Sequence, residues 1–166
     1  SMKILVVDDE SHVREFVSDA LSHEGHHVWV AGSGLEALEL ASKIEFDLIL
    51  CDVVMEDVSG FEVLRRIRGG VGKQPEIVLM TGHASVEAAL EAVQEGANDY
   101  ICKPFSVGVL QAIALAVEQR RYPGRVEGVE GVEVVKRGEI VGSSRAMIEV
   151  VKAAVKVART ELPVLI

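Results

Sequence analysis

The sequence has few aromatic residues and few cysteines. Only 4% of its 166 residues are aromatic although 49% are hydrophobic, so any core must be built mainly from Val, Leu, Ile and Ala. Its two cysteines, Cys51 and Cys102, lie in or beside apolar runs, at a spacing that matches no metal-binding pattern. We therefore expect both to be reduced and to act as small buried hydrophobic side chains.

Long apolar runs are missing as well. None approaches the roughly 20 residues that a membrane-crossing helix needs, and no basic segment leads into a short apolar one as in a secretory signal. These two absences predict a cytoplasmic protein that has no contact with a membrane.

Basic residues are scarce in the first part of the chain. Residues 1–105 carry 19 acidic side chains against 8 basic ones, whereas residues 106–166 carry 7 against 9. Because nucleic-acid binding relies on Lys and Arg to neutralise phosphates, the acidic part argues against direct binding of DNA or RNA.

Short apolar runs alternate with segments of helical spacing. The runs cover residues 4–7, 28–31, 48–51, 77–80 and 100–102. Helical stripes begin at Val13, Leu35, Phe61, Val86 and Leu110. This pattern predicts an α/β protein with a doubly wound, five-stranded parallel sheet of the flavodoxin-like order. Five serines stand where helix N-caps are expected, namely Ser11, Ser33, Ser59, Ser85 and Ser106.

The last third of the chain differs from the rest. We interpret residues 2–121 as one domain and residues 122–138, which contain the repeat "VEGVEGVE", as an interdomain linker. Alternating Val and Glu is also compatible with a strand that pairs with a partner chain. Helical spacing returns from Ser144 and is followed by a short apolar run after Pro163.

Polar side chains follow four of the five predicted strands. Asp8 and Asp9 come after the first, Asp52 after the third, Thr81 after the fourth and Lys103 after the fifth. Since the carboxyl ends of parallel strands meet at one edge of a sheet, we expect these side chains to converge there.

Three carboxylates at one place require a cation, because like charges at close range disfavour their ionisation. Oxygen ligands suit Mg²⁺, or Mn²⁺ in its place. Lys103 adds a second positive charge and Thr81 a hydrogen-bond donor, a set of groups that suits a phosphoryl group. Asp52 can then act as a nucleophile that forms an aspartyl phosphate.

The ordered segments "KILVVDDE", "DLILCDVVMEDVSGFEVL", "VLMTGHAS" and "YICKPF" resemble the motifs of bacterial response-regulator receiver domains, which have a CheY-like fold. The resemblance implies that Asp52 is the phosphoacceptor. It also implies that Mg²⁺ is bound by Asp8, Asp9, Asp52 and the backbone carbonyl of Val54.

The same resemblance assigns the remaining residues of the site. Thr81 and Lys103 would bind the phosphoryl group, and Thr81 and Tyr100 would form the conformational switch. The bond between Lys103 and Pro104 would be cis. One departure is that Glu56 follows Met55 where such proteins often have proline, which we expect to alter the loop or the phosphate lifetime and not the chemistry.

Residues 139–166, "EIVGSSRAMIEVVKAAVKVARTELPVLI", resemble the opening of the AAA+ ATPase domain of NtrC-type, sigma-54-dependent transcription activators. We expect them to be the truncated start of such a domain. The sequence contains no G-x-x-x-x-G-K-[ST] phosphate-binding loop, so we expect a regulatory phosphoacceptor and not an enzyme.

Together these resemblances imply a fragment of a two-component response regulator. A sensor histidine kinase would phosphorylate it, and phosphorylation would control a homodimer and the activity of the ATPase. The parent protein would contact DNA and sigma-54 RNA polymerase, whereas this fragment would not bind nucleic acid.

Other interpretations stay open from the sequence. The C-terminal helix could dimerise a stand-alone receiver that has a non-transcriptional output. A phosphatase with an aspartyl-phosphate intermediate would have D-x-D-x-[TV] after the first strand, where this chain has "VVDDES". A flavodoxin would have a Ser/Thr/Gly-rich phosphate loop there. His83 is a candidate general base, although a surface position is favoured, and the other four histidines are expected to be exposed.

Overall fold

The computed structural model describes residues 1–125, and the predicted unit at residues 139–166 lies outside the described residues. Strands and helices alternate along the chain: β1 Lys3–Val7, α1 Ser11–His23, β2 His27–Ala31, α2 Gly34–Lys43, β3 Leu48–Asp52, α3 Gly60–Arg68, β4 Glu76–Thr81, α4 Val86–Glu95, β5 Asp99–Cys102 and α5 Val107–Arg121. None of these helices combines the length and the apolar character that a membrane crossing requires.

The five strands form one parallel sheet in the order β2-β1-β3-β4-β5. This confirms the predicted doubly wound, flavodoxin-like architecture. The pairing also aligns the strand ends, since Val7 lies opposite both Ala31 and Cys51, and Thr81 lies opposite Cys102. The residues that follow these ends are therefore brought to one edge of the sheet.

Two hydrophobic layers cover the two faces of the sheet. Helices α1 and α5 pack on one face, where Ile4 and Val6 of β1 point, and α2, α3 and α4 pack on the other, where Leu5 and Val7 point. The strands β1, β3 and β4 are almost wholly buried, as expected for a parallel sheet covered on both sides. Of the two cysteines, which are both free, Cys51 is buried and Cys102 only partly so.

Four of the five serines predicted to be helix N-caps occupy that position. Side-chain oxygens of four serines accept a backbone N–H three residues on: Ser33, Ser59, Ser85 and Ser106. The prediction for Ser11 is wrong, because Ser11 is already inside α1 and Glu10 occupies the N-cap without a side-chain cap bond. The Glu10 carbonyl accepts from Arg14 N–H, while its amide donates to Asp8 Oδ1 at 2.9 Å, so the helix begins one residue earlier.

The expectation that the histidines are exposed holds except at His26. Its side chain is half-buried, and Nδ1 accepts the backbone N–H of Met2 at 3.1 Å. Burial lowers the pKa of this imidazole, which favours the neutral form that can accept the bond. His26 therefore fastens the start of β1 beside the turn that leads into β2.

A second polar cluster lies at the opposite end of the sheet from the converging side chains. Asp47, directly before β3, accepts from Lys3 N–H at 2.9 Å, the Tyr122 hydroxyl at 2.6 Å and Arg121 Nε at 3.3 Å, and Lys73 Nζ lies at 3.6 Å. Burial alone would raise the pKa of Asp47, but these partners together lower it below its ordinary value. Asp47 thus ties the end of α5 to the sheet.

Replacing this carboxylate by Asp47→Asn should cost about 1–3 kcal/mol of unfolding free energy at pH 7, because charged partners are left without their counter-ion. A lowered pKa in the folded state means that the contribution is complete above the unfolded value of about 4 and is lost as the pH falls below it. Urea unfolding of both chains between pH 7 and 2 should therefore show the difference shrinking in acid. A difference that does not change with pH would contradict this assignment.

Candidate functional site

The carboxyl edge of the sheet collects the polar side chains that the sequence singled out. Asp8 follows β1, Asp52 and Thr81 end β3 and β4, and Lys103 follows β5. Asp8, Asp52 and Thr81 are buried although polar, with 0%, 6% and 4% of their surface exposed. Burial of several polar groups at one place is unusual unless they have partners, so their mutual contacts are the starting point.

Three carboxylates lie together at this edge. One oxygen from each of Asp8, Asp9 and Asp52 lies within 4.8 Å of the others, Asp9 being the exposed member of the group. Three ionised carboxylates at this distance repel one another, and their hard oxygen donors are the ligands that Mg²⁺ prefers. The donor set therefore fits a divalent cation.

Lys103 is the cation that the chain itself supplies. Its Nζ lies 2.7 Å from Asp8 Oδ2 and 3.4 Å from Asp52 Oδ2. Burial opposes the charge of Lys103, but the hydrogen bond to Asp8 and the charge of Asp52 outweigh it, so the pKa of the ammonium is raised. Lys103 is therefore charged at neutral pH and bridges two of the three carboxylates. The peptide bond between Lys103 and Pro104 is cis.

The pKa of the Asp52 carboxyl is shifted by its surroundings. Burial, followed by the charge of Asp8, raises its pKa to about 6, while Lys103 and the backbone N–H of Val54 partly offset these two effects. Because the fold disfavours the ionisation of Asp52, an added cation would increase the ionised fraction of this carboxyl at neutral pH.

This raised pKa has a consequence for stability without divalent cations. Since the folded pKa of about 6 exceeds the unfolded value of about 4, ionised Asp52 destabilises the fold above pH 6 and has no such effect below pH 4. In EDTA at pH 7 we therefore expect Asp52→Asn to melt at a higher temperature than the parent chain. The gain should vanish at about pH 4, and a gain that persists there would contradict the assigned cause.

The loop after β3 contacts Asp52 directly. Val54 is 74% exposed, but its backbone N–H lies near enough to the Asp52 carboxylate to lower the pKa of that group. The Val53 N–H donates to the Met80 carbonyl at 2.9 Å, and the Gly60 N–H to the Val53 carbonyl at 2.9 Å. Backbone, and not the Val54 side chain, is what this loop presents to the site.

Thr81 and Tyr100 meet at the carbonyl of His83. The Thr81 hydroxyl donates to this carbonyl at 3.2 Å and accepts the His83 N–H at 3.1 Å, and the Tyr100 hydroxyl donates to the same carbonyl at 3.3 Å. Tyr100 is fully buried, whereas His83 itself is exposed. The two hydroxyls therefore share one backbone oxygen as acceptor, and the Thr81 side chain also interacts with that of Tyr100. The imidazole of His83 is exposed.

Sequence reasoning missed two contributors to this edge. Arg14 Nη1 donates to the Asp8 carbonyl at 2.8 Å, and the His83 carbonyl joins the two hydroxyls. Neither could be predicted from the sequence, because Arg14 has the pattern of an ordinary helix residue and every residue has a backbone carbonyl. Of the predicted residues, the structure brings together Asp8, Asp9, Asp52 and Lys103. Thr81 and Tyr100 meet at the His83 carbonyl.

Comparison with known proteins gives a family. The sequence profile of the response regulator receiver domain matches residues 4–115. Regulatory protein AtoC of Escherichia coli (strain K12) is 34% identical over 167 residues, which cover 99% of this chain and 36% of AtoC. The chain thus spans little more than a third of that relative.

Solved structures agree with this relationship. Chemotaxis response regulator CheY4 of Vibrio cholerae superposes with a TM-score of 0.66 and 35% identity, covering 69% of this chain and 97% of CheY4. The beryllofluoride-activated NtrC4 receiver domain, solved in solution as a dimer, has a TM-score of 0.66 and 30% identity and covers 71% and 97%. With its profile match, its relatives and its fold, the chain belongs to the response regulator receiver family, whose domains are regulatory phosphoacceptors and not classical enzymes.

Proposed function

We propose that Asp52 accepts a phosphoryl group from a phosphohistidine of a sensor histidine kinase in a reaction that requires Mg²⁺. The observation that carries the proposal is the cluster of Asp8, Asp9 and Asp52 bridged by the ammonium of Lys103. Asp52 ends the central strand β3 and has a raised pKa, so an added cation favours its ionisation.

The metal would be held by Asp8, Asp9, Asp52 and the backbone carbonyl of Val54. Bound there, Mg²⁺ or Mn²⁺ would neutralise the carboxylates and take an oxygen of the transferring group. The carboxylate oxygens present are the donors that such ions require, and two of the three aspartates are already buried and fixed by the strand ends.

The remaining chemistry belongs to the side chains of this chain. A carboxylate oxygen of Asp52 forms the new bond to phosphorus while the bond from phosphorus to the imidazole nitrogen of the donor breaks, and the electron pair returns to that nitrogen. Lys103 places a positive charge beside the oxygens of the transferring group. The Thr81 hydroxyl, which now donates to the His83 carbonyl, becomes a donor to the bound phosphoryl group.

The His83 carbonyl would then lose the hydrogen bond from Thr81 and keep the one from the Tyr100 hydroxyl. This exchange would move the loop before α4 and reshape the face formed by α4, β5 and α5. We propose that the face sets the arrangement of a homodimer. The NtrC4 receiver domain, which is a dimer in its beryllofluoride-activated form, supports this step by similarity.

For the whole protein we propose a cytoplasmic, sigma-54-dependent transcription activator. Residues 2–121 would be the receiver, residues 122–138 the linker and residues 139–166 the start of an AAA+ domain. The match to AtoC supports this division, because it covers 99% of the chain whereas the receiver profile ends at residue 115. DNA and sigma-54 RNA polymerase would be contacted by the parent protein and not by this part.

The test is incubation of the chain with Mg²⁺ and a small acyl phosphate, followed by intact-mass measurement. We expect the mass to increase by one phosphoryl group when the divalent cation is present, and no increase when the reaction is run in EDTA. A chain that gains no mass with Mg²⁺ present, while its fold is intact by circular dichroism, would contradict the proposal.

A further inference from the structure

The loop between β3 and α3, residues 53–59, is the one that brings the Val54 backbone to Asp52. It contains no proline that would restrict its backbone. Its middle residues are exposed, including Glu56 and Asp57. Val53, Met55 and Val58 are partly buried against the hydrophobic core, but burial does not hold the exposed residues between them in place.

Asp57 provides a contact of this kind. Its Oδ1 accepts the backbone N–H of Gly34 at 3.0 Å and its Oδ2 accepts that of Leu35 at 2.8 Å. These are the first two amides of α2, which have no partner within the helix, and a carboxylate is favoured at the positive end of the helix dipole. Ser33 satisfies the amide of Glu36, so the two residues divide the donors of this helix end between them.

The backbone on both sides of Asp57 is closely packed. A Cβ on Gly34 would lie 2.2 Å from Val58 Cγ2, so only glycine lets the loop approach α2 this closely. A Cβ on Gly60 would lie 2.3 Å from the Asp52 carbonyl oxygen. The loop is therefore fixed against α2 at Asp57 and Val58 and against β3 at Gly60.

We propose that Asp57 is a positioning residue of the phosphoacceptor site, which anchors residues 53–59 on the first turn of α2 and so places the Val54 backbone beside Asp52. The inference rests on the proposed function and adds a residue to it. Asp57 touches neither the phosphoryl group nor the metal, and acts through the loop backbone.

Preorganisation is the physical effect of this anchor. Without it, the loop gains conformational freedom that binding of a cation must remove again, and this weakens binding without changing the carboxylates themselves. Residues that orient metal ligands without contacting the metal typically contribute about tenfold or more to metal affinity. We therefore expect Asp57→Ala to weaken Mg²⁺ binding about tenfold.

The experiment compares the full chain with Asp57→Ala, Asp57→Asn and Ser33→Ala. Ser33→Ala is the matched control, because it removes another hydrogen bond from the same helix end, 3.2 Å long, and leaves the loop contacts untouched. Mg²⁺ dissociation constants are measured by calorimetric titration. Amide hydrogen exchange of residues 53–59 is measured in EDTA, where no metal contributes, and melting temperatures are recorded for all chains.

We expect Asp57→Ala to raise the Mg²⁺ dissociation constant about tenfold and to speed exchange in residues 53–59. Asp57→Asn should recover part of both effects because its amide oxygen still accepts one bond. Ser33→Ala should lower the melting temperature but change neither the Mg²⁺ dissociation constant nor the exchange of residues 53–59. If Asp57→Ala binds Mg²⁺ and exchanges its amides as the parent does, the inference about Asp57 is wrong, and the proposed function is unaffected. The same holds if Ser33→Ala loses as much Mg²⁺ affinity as Asp57→Ala. A parent chain that binds no Mg²⁺ would overturn the proposed function and this inference with it.

Discussion

The Asp52→Asn chain should take up no measurable phosphoryl group under conditions in which the parent chain is fully labelled. An amide has almost the same size as a carboxylate but lacks the anionic oxygen that attacks phosphorus, and loss of a nucleophile lowers such rates by about 10³-fold or more. The measurement is the rate of mass gain with Mg²⁺ and a small acyl phosphate. The change is isosteric and removes a carboxylate whose ionisation burial disfavours, so it should leave the fold intact.

Asp47→Asn is the control for this experiment. Asp47 and Asp52 have the same exposed fraction, 6%, and they lie at opposite ends of β3. Loss of the Asp47 carboxylate should reduce stability and leave the phosphorylation rate unchanged. If Asp52→Asn is labelled as fast as the parent, Asp52 is not the acceptor. If Asp47→Asn is labelled as slowly as Asp52→Asn, the loss reflects the fold and not the chemistry.

The sequence predicts the architecture well because each strand is a short apolar run and each helix has its own stripe. The runs predicted at residues 48–51 and 77–80 are the cores of β3 Leu48–Asp52 and β4 Glu76–Thr81. The convergence of Asp8, Asp52 and Lys103 also follows, since parallel strands bring their carboxyl ends to one edge whatever the loops do.

Contacts between distant loops were not predictable. Asp57 lies 22 residues along the chain from Leu35, and its pairing with the start of α2 depends on how two loops meet across the sheet edge. His26 has the same explanation, because its partner is a backbone N–H 24 residues away. The prediction that Ser11 is an N-cap failed for a local reason, because Asp8 Oδ1 already accepts the amide of Glu10, the residue before the helix. Periodicity describes elements, whereas these residues act between them.

Lys103→Met should lower the phosphorylation rate about 10²-fold, since removal of one preorganised group that stabilises developing charge commonly costs this much. Lys103 Nζ contacts Asp8 at 2.7 Å and Asp52, the proposed acceptor, at 3.4 Å. Methionine retains much of the length of the side chain and removes the charge. Mass gain over time, measured at saturating Mg²⁺, separates this effect from weaker binding of the metal.

Two control variants make the Lys103 result specific. Lys43→Met removes a lysine whose side chain is 67% exposed and should leave the rate unchanged, and Lys103→Arg keeps the charge with a different shape and should retain part of the rate. In EDTA, Lys103→Met should also unfold more readily than Lys43→Met, because Asp8 and Asp52 lose their shared counter-charge inside the fold. Added Mg²⁺ should restore much of that stability but not the rate, because a metal can neutralise the carboxylates without replacing the positive charge that Lys103 would place beside the phosphoryl group. A Lys103→Met chain labelled at the parent rate would show that the metal alone holds the developing charge.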